Sequence, residues 1–139
     1  MKTSLKIFAI IVCGILAFSC ANSGQTPEQV AELYATAMFQ QDYTTMKTLA
    51  APTKAEEIAK IEQEVADREL TLEKQELLTQ YSKYEKKAQP AEISGDKETA
   101  VVIVIFLDNG QPIEGMMSQM KYSLQKVNGQ WKITDDNQW

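Results

Sequence analysis

The chain has 139 residues, with 14 Lys and Arg against 19 Asp and Glu, no histidine, and a net charge of −5. A chain of this length holds one ordinary domain and little else. An acidic balance without a basic stripe argues against nucleic acid and anionic lipid, both of which select clustered Lys and Arg. The missing histidine excludes a Ser-His-Asp triad, any other His-based mechanism and a His-bearing metal site.

Lys2 and Lys6 precede an unbroken apolar run from Ile7 to Phe18. The run is shorter than the roughly 20 residues that a bilayer-spanning helix needs. A charged start, a short apolar middle and a small-residue exit predict a secretory signal over residues 1–19. The exit Leu16-Ala17-Phe18-Ser19-Cys20 resembles the lipobox of bacterial lipoproteins, although Leu16 stands four residues before the cysteine instead of three. Ala17-Phe18-Ser19 also fits ordinary A-x-A-like cleavage ahead of Cys20. With Cys13 inside the removed segment, Cys20 is the one mature cysteine, and acylation accounts for a thiol without a partner.

The lipoprotein resemblance implies a diacylglyceryl group and a third, amide-linked chain on Cys20. Anchoring of that kind is stable, since two acyl chains already suffice. Ala21 stands where the family's inner-membrane retention signal has Asp, which implies the outer membrane and leaves the face open. Residues 20–25 then form the lipidated cysteine and a short polar tether. The mature chain of 120 residues keeps 12 basic and 19 acidic residues, a net charge of −7, so attachment depends on the lipid.

Residues 26–139 form the expected domain. Thr26-Pro27-Glu28-Gln29 is a capping box with proline at the first helical position. Val30, Leu33, Tyr34, Ala37 and Met38 follow at helical spacing. Asp42 caps a second short helix carrying Tyr43, Met46 and Leu49, which Pro52 closes. Thr53-Lys54-Ala55-Glu56 is a second capping box, opening a charged helical stretch to about Lys87. Ile58, Ile61, Val65, Leu70, Leu77, Tyr81 and Tyr84 give its apolar positions. A phase drift at Leu70-Thr71-Leu72 marks a bend or a break into two helices.

After Pro90 the pattern turns to strands. Ala91–Ser94 is short and ends at Gly95-Asp96. Ala100–Leu107 is continuously apolar and predicts a strand covered on both faces. Asp108-Asn109-Gly110 turns the chain into a long strand from Ile113 to Val127. Asn128-Gly129 is a two-residue hairpin turn that pairs Leu124 with Ile133 and Lys126 with Trp131. The order, helices first and then an antiparallel meander, predicts an α+β fold.

That order, the start Thr26 to Tyr34, the link Gln41-Asp42-Tyr43 and the close Asn128-Gly129-Gln130-Trp131-Lys132-Ile133 resemble small bacterial lipoproteins of the nuclear-transport-factor-2-like superfamily. Within it the likeness is to the domain of unknown function 4878. The resemblance implies a cystatin-like roll, with N-terminal helices packed on a curved four-strand meander, and a space between them that is a pocket in some members and filled in others.

Enzymes with such a roll commonly place Asp or His in that space as a general base. A regular last strand would turn Asp135 inward with Ile133 and Trp131, opposite Tyr122, where burial beside a phenol raises a carboxyl pKa. Asp135-Asp136-Asn137 already reads as a strand exit, however, so a hydrogen-bonded or solvated Asp135 is the expected state. Met116, Met117 and Met120 suit Cu(I), but a strand points Met117 away from the other two, so core filling is expected and no metal. Tyr34, Tyr122 and Trp131 are core aromatics or the lining of an apolar pocket. The expected protein is a non-enzymatic, membrane-tethered binding module without a cofactor. Its partner is a small apolar ligand, or else an envelope protein docked on the sheet or the charged helix. A carboxylate-based isomerase or hydrolase is the remaining alternative.

Overall fold

A computed structural model describes residues 24–115 and 117–136. Among the described residues four helices are followed by strands in one antiparallel sheet, so the fold is α+β. The helices are α1 (Pro27–Phe39), α2 (Tyr43–Leu49), α3 (Pro52–Asp67) and α4 (Leu72–Ser82). The strands are β1 (Glu85–Ala88), β2 (Glu92–Ile93), β3 (Thr99–Asp108), β4 (Gln111–Pro112), β5 (Gln119–Val127) and β6 (Gln130–Asp136). Cys20, the predicted signal and the tether up to residue 23 lie outside the described residues, as does Met116. Among the described residues no helix is long and apolar enough to cross a membrane.

The first helix starts as its sequence requires. Thr26 accepts from the Gln29 N–H and the Gln29 side chain accepts from the Thr26 N–H, closing both halves of the capping box. The buried face runs through Val30, Ala31, Tyr34, Ala35 and Phe39. Leu33, expected on that face, is 44% exposed instead. Three buried alanines, Ala31, Ala35 and Ala37, let α1 lie close across β1, β3 and β6, and Leu33 lies on its flank. Asp42 caps α2 by accepting from the Thr45 N–H.

The charged stretch behaves differently from its periodicity. Pro52 does not close α2, which ends at Leu49; it is the first residue of α3. Ala51 is therefore the cap position, and the expected Thr53 capping box is absent. Proline fits the first helical turn because its missing N–H has no partner there in any case. The helix ends at Asp67, the chain extends through Arg68, and Thr71 caps α4 by accepting from the Lys74 N–H. Glu85–Ala88, read as the end of a helix, is a strand. Its Lys86 ammonium folds back onto the Tyr81 and Ser82 carbonyls, where a cation suits the C-terminal end of α4.

In the sheet, β3 is central. β1 and β2 take successive stretches of one side of it, and β4 and β5 take the other. β6 lies beyond β5. The long strand expected over 113–127 is interrupted: β4 stops at Pro112 and pairing resumes at Gln119. Met120 is buried in the core, and Met117 lies in the intervening loop. On β3, Ala100, Val102, Val104 and Phe106 are buried, while Val101, Ile103 and Ile105 on the opposite face are half-buried, so only one face is fully covered. Two edges are managed by specific contacts. Glu32 and Glu28 of α1 accept from the Ala88 and Ala91 N–H groups, blunting the open edge beside β1. Backbone at Ala50–Ala51 pairs with Ile133 on β6.

The final hairpin holds the expected pairs Leu124–Ile133 and Lys126–Trp131 around Asn128-Gly129. Both turn residues have positive φ, 52° and 77°, as a type I′ turn requires. Past Leu124 the register slips: Ser123 faces Asp135 and Tyr122 faces Asp136. Thr134 is the extra residue of this bulge, and its hydroxyl donates to the Ser123 carbonyl at 3.1 Å.

Candidate functional site

The bulge decides what the site contains. An unbroken strand alternates faces, which would send Asp135 inward from Ile133. One inserted residue reverses the parity, so Asp135 is exposed and Asp136 is buried. The inward carboxylate proposed from the sequence is thus displaced by one position, and Asp135 is not part of the site.

Asp136 forms the floor of a cleft of about 300 Å³. Tyr34 and Met38 of α1, Met46 of α2, Ile58 and Val65 of α3, and Leu77 and Leu78 of α4 give it apolar walls. Gln41 and Tyr43 stand where α1 passes into α2. Gln41 has φ of 56°, a left-handed conformation uncommon for a residue with a Cβ. The cleft exists because α3 and α4 diverge: the extended link around Arg68–Thr71 keeps them from packing as one hairpin, and Leu70 of that link adds to the wall.

On the floor, Lys54 Nζ donates to Asp136 Oδ1 at 2.7 Å and Tyr34 Oη donates to Asp136 Oδ2 at 2.9 Å. Lys54 also meets the half-exposed Glu57 at 3.3 Å. Burial works against the Lys54 ammonium, yet the hydrogen bond and charge of Asp136, together with Glu57, hold its pKa above the ordinary lysine value. Burial pushes the Tyr34 phenol well above the tyrosine range, and the adjacent Asp136 charge adds to this. At neutral pH the floor is therefore a closed ion pair with a neutral phenol. Among the described residues no buried side-chain nitrogen or oxygen lacks a partner. A lysine held charged and a phenol held neutral have little tendency to exchange protons near pH 7.

The sequence-predicted residues separate here. Tyr34 lines the cleft. Tyr122 is fully buried behind it, edge-on to the Tyr34 ring at 5.6 Å, with its hydroxyl on Met120 Sδ at 3.4 Å; it supports the floor from the sheet and does not reach the cleft. Trp131 lies half-buried at the far end of the hairpin beneath the Lys126 ammonium, 5.2 Å from the ring centre, away from the site. Lys54 and Asp136 were not among the expected site residues. Lys54 had a visible signal, because the apolar positions 58, 61 and 65 extend back by one turn to residue 54. Asp136 had none, since nothing local to Thr134 announces a bulge. Among the described residues no group of three or more His, Cys, Asp or Glu side chains is placed to hold a metal ion. Compared with protein-family models, with curated proteins and with solved structures, the chain finds no match.

Proposed function

We propose that the chain is a lipid-anchored protein of the bacterial envelope, tethered through Cys20, whose domain holds a small apolar ligand in the cleft between α1, α3 and α4. The observation that carries the binding role is the cleft itself. Its volume of about 300 Å³ reaches the lower end of ordinary ligand pockets, roughly 300–1,000 Å³, and its walls are apolar around a few fixed polar groups. A domain that only docked a partner would have no need to keep its helices apart over such a space. The floor's saturated hydrogen bonding supports a non-catalytic role. Helices gathered over one antiparallel sheet support reading the fold as a nuclear-transport-factor-2-like roll resembling the domain of unknown function 4878. The leader sequence and Cys20 support an envelope location, and Ala21 after the cysteine supports the outer membrane.

Purification from detergent-solubilised membranes of a native host, followed by organic extraction and mass spectrometry, tests both halves of this reading. The expected result is an acyl-modified Cys20 and a co-purifying apolar molecule that is depleted in Ile61→Trp, a change that adds bulk at a partly exposed residue of α3 lining the cleft. An unmodified thiol removes the tether. An extract equally empty for both proteins removes the ligand.

A further inference from the structure

The charges around the cleft are distributed unevenly enough to identify the kind of molecule that fits. Two lysines and one aspartate line it, Lys54, Lys74 and Asp136. Lys54 is held on the floor by two carboxylates, Asp136 and Glu57, so the cation available to a ligand is Lys74, which lines the cleft and is exposed. Among the described residues Lys74 has no ion-pair partner.

Lys74 is also misplaced by local rules. It stands three residues after the Thr71 cap of α4, in the first turn, where the helix dipole favours acidic side chains. A Glu or Gln there would complete a capping box with Thr71. A residue that opposes its local structural preference points to a functional demand.

Resting on the cleft as a ligand site, we propose that its occupant is a single-chain anionic amphiphile of the fatty-acid type, seated tail first with its carboxylate at Lys74. Head-first entry is disfavoured because a carboxylate reaching the floor would have to take Lys54 from Asp136, leaving a buried aspartate without its cation. Burying an unpaired charge is far costlier than burying a methylene chain. The small volume suits one chain. A cationic amphiphile would meet the rim lysine as a like charge.

The test compares decanoate, decanol and decylammonium below their aggregation limits, with affinities read from the methyl NMR shifts of Ile58, Ile61 and Leu77. Decanoate is expected to bind tightest, by about three- to fivefold over decanol, the range of a rim ion pair, with the margin shrinking as salt is added. In Lys74→Glu the decanoate-over-decanol ratio should invert and decylammonium should gain. Glutamate suits that helical position, so the fold is expected to persist, and an unchanged far-UV spectrum checks it. Equal affinities for the three probes, or a preference for decylammonium in the unaltered protein, would overturn the anionic headgroup and leave the apolar site standing. If none of the probes moves the three methyl signals, the cleft is not a ligand site and both readings fall.

Discussion

Lys54 Nζ stands 2.7 Å from Asp136 Oδ1, and each of the two side chains is only 4% exposed. One residue comes from the first turn of α3 and the other from the end of β6, so this pair fastens the helical layer to the last strand. A buried pair is a net stabiliser only while complete; removing one member strands the other and costs about 3–5 kcal/mol. Lys54→Met and Asp136→Leu are each expected to lower stability by that order. The triple change Tyr34→Phe, Lys54→Met, Asp136→Leu removes every polar group of the floor together, and should recover most of the loss. Urea denaturation midpoints at constant m-value decide it. A triple variant no more stable than the worst single would show that the network contributes more than its mutual satisfaction.

The neighbouring carboxylates are expected to differ sharply although they are adjacent in sequence. Asp135→Asn changes an exposed side chain and should shift stability by less than about 0.5 kcal/mol. Asp136→Asn removes the charge that faces Lys54 and should cost several times more. Deleting Thr134 restores a regular ladder while keeping Asp136 opposite Tyr122, so that deletion should be tolerated far better than deletion of Asp135 together with Thr134. Comparable losses in Asp135→Asn and Asp136→Asn would refute the bulged register.

These two aspartates also show where the amino-acid sequence stops being informative. Period and turn chemistry locate some ends of elements: the Thr26 box, the Asp42 cap and the Asn128-Gly129 turn each act within four residues and stand as expected, whereas the Thr53 box does not form because Pro52 already opens α3. The pairing of Leu124 with Ile133 follows from that turn alone. The bulge at Thr134 appears only in the pairing with β5, which no local pattern encodes. The strand at Glu85–Ala88 was hidden for a similar reason. Its Glu-Lys-Lys-Ala sequence favours helix, and pairing with β3 overrides that preference. Lys54 was legible by phase but concealed by its type, since lysine is rarely interior without a partner.

The tyrosines predict a falling stability in alkali. Burial, reinforced by the Asp136 charge, raises the phenols of both Tyr34 and Tyr122. The Lys54 ammonium is raised as well: burial opposes it, but Asp136 and Glu57 prevail. Each of these groups holds its proton more tightly in the folded chain than in the unfolded one. Their contribution is therefore complete below the ordinary range, about pH 10, and is lost as pH rises through the folded values, because the native state then binds more protons than the unfolded state. Urea midpoints measured from about pH 8 to pH 11 should decline, and Tyr34→Phe should decline less steeply. Parallel declines in the two proteins would mean that Tyr34 is not held neutral by its surroundings.

The last prediction concerns how a ligand reaches the floor. None of the residues of α4 is fully buried, and its main attachment runs to α1, where Tyr81 stacks on Phe39 at 5.4 Å. β3, by contrast, is paired along both sides and carries the core. Elements with few buried contacts open locally at low free energy, whereas central strands open only with global unfolding. Backbone amides of α4 should therefore exchange with deuterium orders of magnitude faster than those of Val102–Phe106. Leu77 and Leu78 of α4 line the cleft, so a bound decanoate would add the apolar contacts that α4 lacks. Exchange across α4 should slow on adding decanoate while β3 is unchanged, whose rates already report the whole fold. If α4 were as protected as β3 without ligand, the wall of the cleft would be rigid, and entry by local opening of α4 would be refuted.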